Sequence, residues 1–414
     1  MGAAQLDSYN ACGLGPLCCA AGNWSFVLRI ALVLNDDFST WQFRKGLIAT
    51  LCRGGHTVFA YTPSGPWVRR LEEIGAIHRA IPLYRFVSPL RDLLLFWVLC
   101  RWFSRDRVDL VHNMTVKPTI YGAFAARLMG VRRVVALVSG VGLPFLDGGG
   151  FERRVLRVTV VGLYRTALGL TDRVWFQNPD DLEFFVAARL LKAEKALLIR
   201  SGGVNVEEFS EAAVDQSAVH KLRAELRLEG DGPIVVMIVA RLIWSKGVKD
   251  FVEAAKVLAQ RLSNARLFLF GPYDHGHPDE IPPGYLEALE SENFRAIIDF
   301  RTDIKEILSL ADVVVLPSYF GEGVPRVLLE ALAMSKPIVT TDNPGCREVV
   351  EHGRNGYLVP IKDPGSLAGA IADLSDSETK RVRFGRRSRA KAETEFDERL
   401  IVERIVRELY GLGC

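Results

Sequence analysis

Short blocks of continuous apolar residues, many of them β-branched, alternate along this chain with stretches of mixed character. Residues 26–34, Phe-Val-Leu-Arg-Ile-Ala-Leu-Val-Leu, are the first such block, and they read as a strand buried on both faces of a parallel sheet. A polar loop over 35–40 follows, then a helical stretch over 43–51 ended by Gly54-Gly55, then a strand over 56–61. The order recurs as strand 108–112, helix 121–129 and strand 133–138, with 174–177 as the last strand of this half. Residues 197–200 then give way to Ser201-Gly202-Gly203, which has linker composition. Beyond Gly230-Asp-Gly-Pro233 the pattern restarts: strand 234–239, helix 248–262, strand 265–270, and further strands at 313–316 and 337–340. Asp363-Pro364 is an N-cap with proline at the first helical position, opening a helix over 366–374.

Strands alternating with helices predict α/β architecture with parallel, doubly wound sheets. The restart after the linker predicts two such domains, 24–200 and 201–385. A tail over 1–23 precedes them, and a charged amphipathic C-terminal helix over 386–414 is expected to pack back on the first domain. In sheets of this kind ligands bind outside the carboxyl ends of the strands, so the default site is a cleft between the domains.

The 414 residues are ample for two cores, and 49% hydrophobic with 24% charged residues excludes wholesale disorder. Seven scattered cysteines without a C-x-x-C pair indicate neither a disulfide scaffold nor a zinc ribbon, and fit a reducing compartment. No segment reaches the roughly 18 apolar residues a spanning helix needs. Residues 1–23 carry no Lys or Arg, unlike the basic start of a signal peptide. The net charge of +3 hides an asymmetry. Residues 1–200 hold 25 Lys and Arg against 15 Asp and Glu, together with six of the seven tryptophans; the remainder is acidic. A basic, aromatic half suggests an anionic partner, nucleic acid or membrane. No helix-turn-helix, zinc-finger or RNP motif supports nucleic acid, which is therefore not expected as a partner.

Two segments carry the chemistry. In Val239-Ala-Arg241-Leu-Ile-Trp-Ser-Lys246-Gly247, Arg241 stands just past a buried strand and Lys246 five residues on, a spacing that lets one loop present both cations to one anion. In Leu316-Pro-Ser-Tyr-Phe-Gly-Glu322-Gly-Val-Pro325-Arg-Val-Leu-Leu-Glu330, a strand ends, a glycine-bearing loop follows and Pro325 opens a helix. Free N–H groups at that helix start favour a phosphate or sugar oxygen. Glu322 and Glu330 suit hydrogen bonds from vicinal hydroxyls, with helix-start charge compensation the bland alternative for Glu322.

Taken in order, these segments resemble glycosyltransferase family 4, the retaining GT-B enzymes: Arg241 and Lys246 match an R-x4-K pair, and Glu322 and Glu330 an E-x7-E pair. The stretches 340–350 and 355–360 look like the same family, and the likeness covers about residues 26–410. In the first half, 41–44, 111–122, 138–142 and 176–181 resemble the branch that extends polyprenyl-diphosphate-linked glycans, as bacillosaminyl-diphospho-undecaprenol N-acetylgalactosaminyltransferases do.

The resemblance implies a GT-B fold and transfer of a HexNAc or hexose, with retention, from a UDP-sugar to a polyprenyl-diphosphate-linked saccharide. A soluble acceptor such as a sugar phosphate is the alternative. Arg241 and Lys246 would bind the donor diphosphate, Glu330 the ribose, and Glu322 the hydroxyls of the transferred sugar. The donor would also lie against Gly323, Val324, Arg326 and Val327. Arg44, Lys117 and His112 would face the acceptor, although Met114 stands where many members carry a histidine. No cofactor and no metal are expected, because Arg and Lys can neutralise a leaving diphosphate and D-x-D occurs nowhere in the chain. His275 and His277, on a Gly/Pro-rich loop, are too few for a metal site. Residues 84–105 and 151–165 mix arginine with large apolar side chains, and Arg153, Arg154, Arg157, Trp97 and Trp102 are the candidates for contact with an anionic membrane surface. The expected location is peripheral, on the cytoplasmic face of the cell membrane.

Overall fold

The computed structural model describes residues 27–85, 88–140, 151–228, 234–262 and 264–412, the first six of residues 151–170 by backbone alone. The expectations placed on residues 1–23, on 141–142, on Gly148-Gly-Gly150, on 230–233, on Cys414 and on the side chains of Arg153 and Arg154 lie outside the described residues. The chain folds as two units. The described part of the first runs to Gly203 and resumes at Glu398; the second is Val204–Asp397.

The first unit holds seven parallel strands: β1 (Arg29–Val33), β2 (Thr57–Thr62), β3 (Ile77–Ala80), β4 (Leu110–Met114), β5 (Arg133–Val138), β6 (Arg173–Phe176) and β7 (Ala196–Leu198). Their order is β3-β2-β1-β4-β5-β6-β7, so the winding reverses between β1 and β4. The helices are α1 (Asp37–Arg53), α2 (Val68–Glu73), α3 (Pro89–Arg105), α4 (Val116–Leu128), α5 (Phe151–Leu170) and α6 (Pro179–Ala187). Two cores form, one on each face of the sheet. Residue alternation assigns the faces: on β1, Ala31 and Val33 enter one core while Ile30 and Leu32 enter the other.

The second unit holds β8 (Ile234–Val239), β9 (Ala265–Phe270), β10 (Phe294–Ile297), β11 (Val313–Leu316), β12 (Ile338–Thr341) and β13 (Gly356–Val359), ordered β10-β9-β8-β11-β12-β13. Its helices are α7 (Gln216–Leu226), α8 (Val248–Ala259), α9 (Ile304–Leu310), α10 (Arg326–Ala333), α11 (Cys346–Val349), α12 (Pro364–Ser375) and α13 (Glu378–Lys391). The winding reverses between β8 and β11, and the loops that follow those two strands carry Arg241, Lys246 and Glu322. A last helix, α14 (Glu398–Arg404), belongs to the first unit.

Three expectations need correction. Strand 174–177 is not the last of its half: β7 pairs beside β6, three residues long and half-exposed, too short to show a period. Helix α4 starts at Val116 rather than residue 121, because Pro118 sits in the first turn, where a missing N–H costs nothing. The C-terminal segment is not one helix over 386–414. Helix α13 runs on through a wide turn at 392–396, the chain breaks at Asp397, and α14 begins. The break separates two loyalties. Phe384, Ala392 and Phe396 fill the core of the second unit; Ile401, Val402, Ile405, Leu409 and Tyr410 fill that of the first. Each of those large apolar side chains stabilises its unit by about 1.5–3 kcal/mol.

Candidate active site

Two loops at the carboxyl edge of the second sheet are tied together through their backbones. After β8 the chain makes a tight turn at Trp244–Lys246. After β11 it runs through Pro317-Ser-Tyr-Phe-Gly-Glu322 before α10. Tyr319 N–H donates to the Ser245 carbonyl at 3.0 Å, and the Ser318 hydroxyl stands 3.1 Å from the same oxygen. A third loop, after β12, braces the second: the Thr341 hydroxyl donates to Ser318 O, and Asn343 Nδ2 donates to Phe320 O at 2.5 Å. Gly345 completes the bracing at φ +80°, where a Cβ would stand 2.1 Å from the Gly323 carbonyl oxygen, so only glycine fits under the Glu322-Gly323 turn.

These loops bring Lys246 and Glu322 into an ion pair, each side chain about one-sixth exposed. The Ser318 hydroxyl lies 3.0 Å from the same carboxylate oxygen. Burial pushes the Glu322 carboxyl up, but the Lys246 charge, the hydrogen bonds from Lys246 and Ser318 and the nearby Arg241 charge outweigh it, so its pKa falls below the usual value. Glu322 is therefore a carboxylate at neutral pH. Arg241 is more than half exposed and pairs with Asp274 on the loop after β9, Nη1 to Oδ2 at 2.5 Å. Glu330 is buried inside α10 and takes the Arg326 guanidinium, Nε to Oε1 at 2.8 Å, an i,i+4 pair. Gly323 is buried, Val324 and Val327 are half-buried, and α10 starts at Pro325 with no side-chain cap. Cys346, behind Glu322, has its thiol pushed up to about 12 by burial first and by the Glu322 charge second. All eight residues expected at the donor end, 241, 246, 322–324, 326, 327 and 330, thus fall on the loops after β8 and β11 and on α10. The sequence reading missed Asp274, Ser318 and Asn343, which hold them. Among the described residues, no group of three or more His, Cys, Asp or Glu could hold a metal ion; His275 pairs with Glu280 at 2.7 Å.

The three candidates in the first unit lie elsewhere than at a surface ready for ligand. His112, on β4, is wholly buried, with Nδ1 2.8 Å from the Tyr410 hydroxyl and the Trp175 ring 6.0 Å away. Burial, then the Arg44 charge, holds its imidazole well below the ordinary 6.5, so it is neutral. Arg44 is also buried: Nε donates to Met114 Sδ at 3.0 Å and the guanidinium lies 5.1 Å from the Trp175 ring centre. Lys117 pairs with Asp92 of α3 at 2.5 Å and donates to the Tyr84 carbonyl at 2.9 Å. His112 and Arg44 are thus buried in this conformation, each held by partners within the first unit. Lys117 ties α4 to α3.

Helix α3 is amphipathic in an unusual sense. Asp92, Leu95, Leu99, Cys100 and Phe103 are buried, while Leu90, Leu93, Leu94 and Trp97 form a second apolar stripe at i, i+3, i+4, i+7. Those four are 84%, 53%, 53% and 57% exposed. Trp102 is tied down instead, donating from Nε1 to Ala80 O at 3.3 Å beneath Arg79 and Arg105. On α5, Arg157 is half-buried and Val158 is exposed. No helix among the described residues is long and apolar enough to cross a membrane.

Comparison with known proteins fits these two units. Residues 41–202 match the model of the glycosyl transferase 4-like domain, and residues 220–391 that of glycosyl transferases group 1. The chain belongs to the glycosyltransferases built from these two domains. It is 28% identical over 386 residues to the N,N'-diacetylbacillosaminyl-diphospho-undecaprenol alpha-1,3-N-acetylgalactosaminyltransferase of Campylobacter jejuni, covering 92% of this chain and 98% of that one. It is 25% identical to the Escherichia coli UDP-Gal:alpha-D-GlcNAc-diphosphoundecaprenol alpha-1,3-galactosyltransferase, over 84% of this chain and 86% of that one. Among solved structures, Anabaena HepE in complex with UDP and glucose superposes with TM-score 0.75 at 21% identity, covering 93% of this chain and all of that one. The glycosyltransferase therefore has the GT-B fold expected from its motifs.

The neutral, buried state of His112 fixes the sign of one pH effect. Its folded-state pKa lies well below the unfolded value near 6.5, so its contribution to stability is full above pH 6.5 and declines as pH falls. Between pH 7.5 and 5, the melting temperature of wild type should drop relative to that of His112→Gln, which keeps a hydrogen-bonding group but cannot titrate. The limit is about 1.4 kcal/mol per pH unit for one proton. Parallel pH curves for the two proteins would contradict the assignment.

Proposed function

We propose that this glycosyltransferase moves a sugar, a HexNAc or a hexose, from a UDP-sugar to a polyprenyl-diphosphate-linked saccharide during assembly of a surface polysaccharide or glycan. The observation that carries the reading is the gathering of Lys246, Arg241 and Glu322 at the point where the second sheet reverses its winding. A pair of cations there suits a diphosphate, and a carboxylate kept ionised beside them suits the hydroxyls of a sugar. The activities for which the Campylobacter and Escherichia relatives are named, both on diphospho-undecaprenol-linked acceptors, support that acceptor class. Complexes of Anabaena HepE with UDP and UDP-glucose support the donor class.

In this reading the bond between the sugar's anomeric carbon and the β-phosphate oxygen breaks, and UDP leaves. Arg241 and Lys246 stabilise the charge that develops on the diphosphate, taking the part a divalent metal plays elsewhere. The acceptor hydroxyl attacks from the face the UDP leaves, its proton passes to a leaving phosphate oxygen, and the anomeric configuration is retained. Glu330, oriented by Arg326, accepts from the ribose hydroxyls, while Glu322 accepts from hydroxyls of the transferred sugar. The amides around Gly323 and Val324 contact the sugar; Pro325 has none to offer. The exposed stripe of α3, flanked by Arg91, Arg101 and Arg105, lies in the interface of an anionic membrane on its cytoplasmic side, with Arg157 of α5 among the headgroups. That surface delivers a lipid-linked acceptor, whereas a soluble acceptor would leave the stripe without a purpose.

Two experiments test the reading. Titration with UDP should separate the two glutamates. Glu330→Ala should weaken UDP by about tenfold, while Glu322→Ala, which releases Lys246 toward phosphate, should keep UDP affinity and cut transfer by about 10²-fold. Equal losses of UDP affinity in both variants would refute the roles. Co-sedimentation with anionic vesicles tests the surface: Leu93→Ser with Trp97→Ser should release the protein from lipid and leave UDP affinity unchanged. Unaltered vesicle binding in that variant would remove α3 from the account.

A further inference from the structure

Arg241 stands on an exposed loop, yet its guanidinium is held by a buried partner. Asp274 Oδ2 lies 2.5 Å from Arg241 Nη1; the aspartate side chain is 10% exposed and the arginine side chain 53%. The carboxylate is thus the fixed member of the pair and the cation the one that faces outward. Nothing local in the sequence links them, since they stand 33 positions apart. The link is built by the loop after β9, which meets the loop after β8 at Leu242 and again at Ile243–Ser245. Leu242 N–H donates to Pro272 O at 3.0 Å, Leu242 bridges Tyr273, and Trp244 N–H donates to Asp279 O at 3.0 Å. Ser245 N–H donates to Asp279 Oδ2 at 2.7 Å, and the Trp244 and Tyr285 rings meet edge to face at 5.0 Å. At the root of this pairing Gly271 lies so close to Ala240 that a Cβ would stand 1.8 Å from its carbonyl oxygen.

A long arginine side chain on a loop loses conformational freedom when it grips an anion, and a side chain already held in place loses less. A carboxylate engaging one Nη also sets the plane of the guanidinium while leaving its other donors for a second anion. There is a competing partner. The Arg241 charge already acts on Glu322, whose carboxylate is engaged by Lys246. A guanidinium released from Asp274 is left with the Glu322 carboxylate as a second anion acting on it. We propose that Asp274 is a positioning residue that holds the Arg241 guanidinium ready for the diphosphate of the donor and keeps it from collapsing onto Glu322. The inference rests on the diphosphate role of Arg241 and adds a residue that neither motif contains.

A double-mutant cycle read by UDP titration tests it. Wild type, Asp274→Asn, Arg241→Ala and the double variant are compared. Asp274→Asn should raise the Kd for UDP about tenfold, and Arg241→Ala should raise it at least as much. In the Arg241→Ala background, Asp274→Asn should have no further effect. Asp274→Glu, which keeps the carboxylate, should recover most of the lost affinity. A general loosening of the loop would act in both backgrounds and so would give additive losses. Additive losses, or an unchanged Kd in Asp274→Asn, would overturn the inference while the diphosphate reading of Arg241 stands. A UDP affinity indifferent to Arg241→Ala would overturn that reading, and the positioning role with it.

Discussion

Two cations and a carboxylate gathered at one edge of a sheet must be balanced, and the second unit is organised around that balance. Lys246 and Glu322 are both largely withdrawn from water, where an uncompensated charge costs several kcal/mol. The pair is tolerable because Ser318 completes the hydrogen bonding of the carboxylate and because three loops, after β8, β11 and β12, fix both side chains. Asp274 performs the same service for Arg241 from the loop after β9. The result is a cluster of two cations and two carboxylates that is close to neutral. A parallel sheet makes this possible, since it delivers every such loop to the same edge.

The parts of the site that are close together in the chain were legible in the sequence. R-x4-K and E-x7-E each fit within one loop or one loop and helix, so spacing alone brings Arg241 near Lys246 and Glu322 near Glu330. What holds these residues was not legible. Asp274 meets Arg241 only through the parallel pairing of β8 with β9, which sets Ala240 against Gly271 and everything beyond it. Ser318 and Asn343 read as ordinary loop polar residues until the loops are stacked. The strands were legible where they were buried on both faces, as at 30–33 and 235–238, and illegible at the edges, where β3 and β10 are four residues long and half-exposed.

The candidates of the first unit are held by distant parts of the chain. The family resemblance offered His112 for the acceptor, with a place at the end of a buried strand as the plainer reading; in the structure it sits mid-strand in β4 and its partner, Tyr410, arrives from 298 residues away and covers it. Periodicity along β4 cannot distinguish a histidine aimed at a ligand from one aimed at a helix that has not yet been reached. Arg44 is covered in the same way, by Trp175 and Met114. The charge asymmetry survives better. Many arginines of this unit lie against aromatic rings, as Arg79 and Arg105 do on Trp102, while α3 keeps Leu90, Leu93, Leu94 and Trp97 in solvent.

The central claim is that side-chain cations, Arg241 above all, stabilise the departing diphosphate. Its most direct test is steady-state transfer from UDP-HexNAc and UDP-hexose donors to a polyprenyl-diphosphate-linked saccharide in excess EDTA, comparing wild type with Arg241→Ala. The account requires wild-type turnover to be unaffected by EDTA and kcat to fall by about 10²-fold or more in the variant, since the lost interaction strengthens as charge develops on the leaving group. Turnover abolished by EDTA and restored by Mg²⁺, or a variant altered only in KM, would contradict it.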